Sequence, residues 1–169
     1  HEALRRDGTY MLTIRQFADF LKLLRTGKAF DGTGKQIDRV RLKSVLEDIV
    51  KVKDPYRAEW LDARFDNGNI FYHILDTTTN TYNEVNEKLY NYIKTDKGPG
   101  ISLNDWLKKA NNHGLPTPKT NKGNLYYWAP VDGGVAGFSA GSGGACLVCD
   151  VGPSGGAVAS LGVRLSQKI

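Results

Sequence analysis

The chain has 169 residues, of which 40% are hydrophobic and 24% charged, and its formal net charge is +5. This balance is typical of a globular protein with enough apolar side chains for a core. No stretch approaches the roughly 18 consecutive apolar residues of a membrane-spanning helix, so we expect a soluble chain without a membrane span. The two cysteines, Cys146 and Cys149, are too few for a disulfide framework or a four-cysteine zinc site.

The positive charges are scattered among acidic residues rather than gathered in one run. Arg39, Arg41 and Lys43 could meet phosphates, but a solvated helix face explains them equally well. The segment 31–35 (Asp-Gly-Thr-Gly-Lys) lacks the glycine and lysine spacing of a phosphate-binding loop. We therefore expect no nucleic-acid partner and no nucleotide cofactor.

The first third of the chain predicts helices separated by turns. Residues 13–16 (Thr-Ile-Arg-Gln) have capping-box spacing and begin a predicted helix over about 14–26, which Gly27 can end. Residues 28–37 predict a turn between two short extended pieces. A second capping-box spacing at 44–47 (Ser-Val-Leu-Glu) predicts another short helix.

The middle of the chain predicts two helices with a strand between them. Asp54 and Pro55 resemble a helix cap and a first-turn proline, which predicts a helix through about Phe65 with Trp60 facing the core. Residues 67–69 then predict a turn into a strand over 70–75, which is rich in strand formers. The apolar residues of 85–93 recur at helical spacing, which predicts a further helix.

The remaining elements are short. The glycines and proline of 97–100 are expected to break the preceding helix, and Ser102 then begins a predicted helix that reaches about Ala110. Residues 125–128 and 161–165 are strand candidates, and we expect Trp128, like Trp60, to point inward. Helices first and short strands last predict an α+β fold rather than alternating βαβ units.

The composition changes abruptly between residues 131 and 163. These 33 residues contain ten glycines, five alanines and four serines, and no Lys, Arg, Glu, Gln, Asn, His, Trp or Tyr. A segment so poor in large side chains cannot bury enough apolar surface to fold as a separate domain. It must therefore belong to the same domain as the residues before it.

Two sets of positions alternate within this segment. Large or core-like residues recur as a framework: Val135, Phe138, Leu147, Cys149, Leu161 and Val163, with Ala140, Ala145 and Ala159 at fitting inward positions. Thirteen other positions are expected to face outward: Asp132, Gly133, Gly134, Ser139, Gly141, Gly143, Gly144, Cys146, Val148, Asp150, Gly152, Gly155 and Val158. Each of the thirteen residues can be encoded by a codon that ends in a pyrimidine.

The cysteines have the spacing of a redox dithiol or of half a zinc site. If Ala145, Leu147 and Cys149 alternate inward along a strand, then Cys146 lies on the opposite face, so the two thiols cannot meet. His73 and His113 have no spacing that brings them to the cysteines, and we expect them to be structural or exposed. The segment offers Asp132 and Asp150 without a histidine, so we expect no metal site and no acid–base catalysis.

The framework pattern resembles a known family. The run Val135-Ala-x-Phe-x-Ala-x-Ser-x-x-Ala-x-Leu-x-Cys149, with Pro153 and residues 161–164 (Leu-Gly-Val-Arg), resembles the variable region of target proteins of archaeal diversity-generating retroelements. Residues 54–62, and residues 99–107 with 114–116, resemble the same family, so the similarity extends over most of the chain from about residue 12.

The resemblance implies a fold and a function. It implies one C-type lectin domain over 1–169, with short helices, short and mainly antiparallel strands, long loops, and a variable region at 131–163. A reverse transcriptase would rewrite adenine-containing codons, and the thirteen outward residues would then be displayed to bind a ligand, expected to be a protein on another cell or surface. The protein would be a monomer displayed at a cell or virion surface.

Three further points are open from the sequence. Members of the family commonly have an arginine where this chain has Gly137, and the outward residues here are small, so we expect this variant to bind weakly. One alternative is an enzyme of the formylglycine-generating type, which resembles lectins in architecture. The other is a structural surface or tail component whose glycine-rich end packs against a neighbouring subunit.

Overall fold

The computed structural model describes residues 9–31, 33–54, 57–76, 78–79, 81–151, 161–162 and 165–167. The helices are α1 (Ile14–Thr26), α2 (Arg39–Val50) and α3 (Leu103–Lys109). The strands are β1 (Thr9–Met11), β2 (Arg57–Asp66), β3 (Asn69–Asp76), β4 (Thr81–Lys88), β5 (Lys97–Ile101), β6 (Leu125–Trp128), β7 (Val135–Gly141), β8 (Gly144–Val151), β9 (Leu161–Gly162) and β10 (Leu165–Gln167). The described chain is therefore α+β, as expected.

Helix α1 begins and ends as its sequence predicts. Thr13 Oγ1 accepts a hydrogen bond from the Gln16 backbone N–H at 3.2 Å, and Gln16 Oε1 accepts one from the Thr13 N–H at 2.9 Å. Gly27 ends the helix in a left-handed conformation with a φ of +67°. The apolar stripe of the helix, which includes Ile14, Phe17 and Leu21, is completely buried.

The other two helices agree with the sequence in part. Helix α3 follows Ser102, whose hydroxyl accepts from the Asp105 N–H at 3.4 Å. Helix α2 was expected to begin near Ser44, but it begins at Arg39 because the Asp38 carboxylate accepts from the Val40 N–H at 2.7 Å. The observed cap, Asp38, lies six residues before the predicted cap, Ser44.

Two predicted helices are strands. The segment 57–66, predicted as helix, forms β2, in which Leu61, Ala63 and Phe65 alternate inward and are buried. The segment 85–93, also predicted as helix, contains no helix: residues 85–88 belong to β4, which pairs with β3 from Asp76↔Thr81 to Asn69↔Lys88. The predicted breaker at 97–100 lies in β5.

The large sheet has the strand order β4-β3-β2-β7-β8-β6-β5, and β9 pairs with the first part of β2. The β6–β8 and β2–β9 pairings are parallel and the other pairings of the described strands are antiparallel. Strands β1 and β10 form a separate pair. The sheet is thus mainly antiparallel, but β2 with ten residues is longer than the short strands that we expected.

The core lies between α1, α3 and one face of the sheet. The Phe138 ring contacts Phe17 of α1 at a centroid distance of 5.1 Å and stacks on Trp106 of α3 at 6.2 Å. The Trp106 indole N–H donates to the Gly114 carbonyl at 2.7 Å, so its polar atom is satisfied. We call the sheet face that carries Phe138 the inner face, and the opposite face the outer face.

None of the helices in the described part of the chain is both long and apolar enough to cross a membrane.

Candidate ligand-binding surface

The hairpin of β7 and β8 separates the segment 135–149 into two faces. Its inner positions are almost completely buried, with Ala136, Phe138, Ala140, Leu147 and Cys149 between 0 and 3% exposed. Val135, predicted as framework, is half-buried, and Val163 lies outside the described residues. The structure thus places the larger framework residues of the hairpin against the helices.

The outer positions pair across the hairpin. Ser139 lies opposite Cys146 and Gly141 opposite Gly144, while Gly137 lies opposite Val148. Because residues that pair directly across strands share a face, these side chains lie on the outer face. The two turns at the ends of β7 add the exposed Asp132 and Gly133 at one end and Gly143 at the other.

The exposure of the thirteen candidates is uneven. Asp132, Gly133, Gly143 and Asp150 are exposed, and Ser139, Gly141, Gly144 and Val148 are half-buried. Cys146 and Gly134 were expected to be exposed, but both are buried. Only 6% of the Cys146 surface is exposed. Gly152, Gly155 and Val158 lie outside the described residues.

The alternation continues to Asp150, although the pairing of β8 with β7 is irregular after Val148. The register of β8 against β7 shifts between Gly137↔Val148 and Val135↔Val151, so Cys149 and Asp150 together face one residue of β7. Cys149 is nevertheless buried and Asp150 exposed, as the period-two pattern predicted.

The backbone restricts some of the candidate positions to glycine. Gly144 has a φ of +125°, and a Cβ atom there would lie 3.3 Å from Tyr126 Cε2. At Gly134 a Cβ atom would lie 2.6 Å from the Cys149 carbonyl oxygen. Gly143 has room, since its nearest contact would be Tyr126 Cζ at 3.7 Å. Gly134 and Gly144 are therefore poor positions for free substitution.

Three aromatic residues on the outer face were missed. Trp60 and Trp128 were expected to point inward, but Trp60 pairs with Gly137 and is half-buried, and Trp128 pairs with Val148 and is 37% exposed. Tyr126 pairs with Cys146 on the same face. The sequence of 125–128 indicates this arrangement, because Leu125 and Tyr127 alternate inward in a strand and leave Tyr126 and Trp128 outward.

The two cysteines are free thiols on opposite faces of β8. Burial raises the pKa of Cys146 to about 12, and the nearby Asp150 charge acts in the same direction, while a hydrogen bond with Trp128 opposes them. Burial also raises the pKa of Cys149 well above its usual range. Thiols with such pKa values stay protonated at neutral pH, and they are then poor nucleophiles and poor metal ligands.

The histidines lie elsewhere. His73 donates its backbone N–H to Asp62 Oδ2 at 2.8 Å, and its Nδ1 lies 3.0 Å from Asp62 Oδ1. His113 is buried between Tyr72 and Tyr90, with its Nδ1 3.5 Å from Glu87 Oε2. Within the described ranges, no three His, Cys, Asp or Glu side chains are grouped so that they could hold a metal ion.

Comparison with known proteins gives no match: no protein-family model, no curated protein and no solved structure is similar to this chain.

Proposed function

We propose that this protein is a ligand-binding protein that uses the outer face of the β7–β8 hairpin as its contact surface, and that a retroelement diversifies the codons of that face. The ligand is a protein on another cell or surface, and the scaffold is a C-type lectin domain. The α+β arrangement with its mainly antiparallel sheet is compatible with that architecture.

One observation carries the proposal. The hairpin keeps Phe138 and Leu147 in the core, while Ser139 and Val148, their immediate neighbours in sequence, lie on the other face. Substitution of an outward residue then leaves the packing of Phe138 against Trp106 unchanged. A surface can be rewritten without loss of the fold only if stability depends on other residues, and the buried Phe138 and Leu147 are residues of that kind.

The structure also sharpens the set of positions that diversification could use. Asp132, Ser139, Gly143 and Val148 combine some exposure with a backbone that accepts side chains. Cys146 is covered by its neighbours, but it lies on the outer face and contributes to the same surface. We expect variation at these five positions and little at Gly134 and Gly144.

Amplicon sequencing of the gene from a natural population tests the proposal directly. We expect substitutions concentrated in the codons of outward residues, with the codons for Phe138, Leu147 and Cys149 unchanged. A near-copy of the segment encoding 131–163 should lie nearby, beside a reverse transcriptase gene, and differ mainly where the copy has adenine. Uniform variation across inward and outward codons would contradict the proposal.

Two other functions predict different observations. A formylglycine-generating type of enzyme needs reactive cysteines that converge in one pocket, whereas Cys146 and Cys149 are protonated and on opposite faces. A structural component would associate through its glycine-rich face, so light scattering at rising concentration would show oligomers. We expect a constant monomer mass.

A further inference from the structure

Two aromatic rings lie side by side on the outer face of β6. A Cβ atom at Gly98 of β5 would lie 3.4 Å from Tyr126 Cδ1, and one at Gly144 of β8 would lie 3.3 Å from Tyr126 Cε2. The two edges of the Tyr126 ring therefore extend over glycines on the two neighbouring strands. The absence of side chains at both positions allows the ring to lie across the sheet.

The Trp128 ring lies next to Tyr126 on the same face. Its edge at Cη2 is 3.8 Å from the position of a Cβ atom at Gly98 on β5, the glycine that the Tyr126 ring also covers. On its other side Trp128 pairs with Val148 of β8, and the indole leaves 37% of its surface exposed. We call the rings of Tyr126 and Trp128 the aromatic platform.

Acidic groups lie at the Trp128 end of the platform. Asp96 Oδ1 accepts from the Ala129 N–H at 2.9 Å, directly after Trp128. Asp150 lies on β8 two residues beyond Val148, the partner of Trp128, and its side chain is exposed. Burial raises the pKa of Asp150, and the Asp96 charge acts in the same direction. Lys97 is on the opposite face, because it pairs with the inward Tyr127. The platform and its border therefore present aromatic surface and negative charge.

We propose that the aromatic platform, bordered by Asp96 and Asp150, is a fixed docking site for an arginine or lysine side chain in a basic segment of the partner protein. An organic cation over an indole ring is attracted by the negative face of the ring, and a carboxylate beside it adds a charge-assisted hydrogen bond. Exposed tryptophan and tyrosine are also the residues that most often dominate protein interfaces.

This inference depends on the proposed function and identifies its ligand more closely. The small outward residues Ser139 and Gly143 offer little area, so affinity in this variant must come from residues outside the rewritten set. The platform belongs to β6, which precedes the segment 131–163. Diversified residues would then adjust specificity around a constant anchor.

Titration with short capped peptides of alternating glycine and arginine tests the inference. Peptides of the same length with glutamate or glutamine in place of arginine are the matched controls. The indole N–H signals of the three tryptophans provide the readout in ¹⁵N NMR. We expect saturable shifts of the Trp128 signal with the arginine peptide, while the signal of the buried Trp106 stays in place. Because the whole chain carries +5, long-range charge opposes nonspecific binding of this peptide.

Variants separate the platform from general effects. Trp128→Ala and Asp150→Asn should each lower the affinity for the arginine peptide by about tenfold. Trp128→Phe should keep more of this affinity than Trp128→Ala does. Asp19→Asn, on the exposed side of α1, is the matched charge control and should leave binding unchanged. Circular dichroism melts verify that each variant folds.

Other outcomes would overturn the inference. Equal affinity for arginine, glutamate and glutamine peptides, or shifts only at Trp60, would remove the platform as a cation site. Binding of a neutral hexasaccharide such as cellohexaose at Trp128, without arginine binding, would assign the platform to glycans instead. In each case a population with variable outward codons would still support the proposed function, so the two proposals can fail separately.

Discussion

Asp62 is a buried carboxylate whose environment sets the sign of a pH effect. Its two oxygens accept from the backbone N–H and face the ring Nδ1 of His73, at 2.8 and 3.0 Å. Burial nevertheless dominates and raises the pKa of Asp62 above its ordinary value. The folded protein thus binds this proton more tightly than the unfolded chain does.

The raised pKa predicts that the contribution of Asp62 to stability falls as pH rises. The contribution is complete below the unfolded pKa of about 4 and is lost as pH passes the folded pKa. Asp62→Asn has no such dependence. We expect its melting temperature, relative to the parent, to be higher at pH 6.5 than at pH 3.5, as measured by calorimetry. A difference that shrinks with rising pH would show that the ionised carboxylate is the favoured form.

Adjacent residues of the hairpin should differ sharply in their effect on stability. Leu147→Ala removes a side chain with no exposed surface and should cost about 2–5 kcal/mol of unfolding free energy. Ser139→Ala, on the other face, should change it by about 0.5 kcal/mol or less. Urea denaturation measures both values. Similar losses at the two positions would contradict the separation of framework and display residues.

At the scale of elements, the β7–β8 turn contains a matched pair of glycines. Gly144 has a φ of +125° and little space beside Tyr126, whereas Gly143 has room for a Cβ atom. We expect Gly144→Ser to cost about 1–3 kcal/mol of stability, because a non-glycine residue is strained there. Gly143→Ser should be close to neutral. Thermal melts of the two variants give the comparison, and equal values would show that the turn adapts to either residue.

Elements with local signals were predictable from the sequence, and those fixed by distant partners were not. The capping box of α1 and the cap of α3 involve residues three apart, so their sequence spacing is sufficient. Strand β2 is held by β7, more than 70 positions later, and no local pattern shows that partner. Tertiary pairing overrode the helix signal of Asp54 and Pro55.

The candidate surface was predictable to the same extent. Period-two alternation correctly separated Phe138 and Leu147 from Ser139 and Val148. It did not predict the burial of Cys146, because alternation gives the face on which a side chain lies and not the neighbours that cover it. The outward position of Trp60 was not predicted, because large aromatic residues were assigned to the core by their size alone.

At the scale of the whole molecule, β1 and β10 connect the two ends of the described chain. Thr9 pairs with Gln167 and Met11 with Leu165, and the Leu12 carbonyl then accepts from the Asp62 N–H at 2.8 Å. This connection anchors the start of α1 beside β2.

Deletion of residues 165–169 should therefore lower the unfolding free energy by about 1–3 kcal/mol, since it removes the hydrogen bonds of three residue pairs. Deletion of 168–169 alone keeps those pairs and should have little effect. Chemical denaturation of both truncated chains measures the difference. If the shorter deletion cost as much as the longer one, the β1–β10 pair would have no specific role.

The position of β7 beside β2 has a consequence during synthesis on the ribosome. Until residue 141 has emerged, the nascent chain can pair β2 only with β3, and Phe17 and Trp106 have no Phe138 to pack against. The β7–β8 hairpin is translated after α1, β2 and α3, and it therefore completes their core. Loss of its inward residues would therefore leave the apolar side chains of α1 and α3 exposed to chaperones and proteases in each newly made copy.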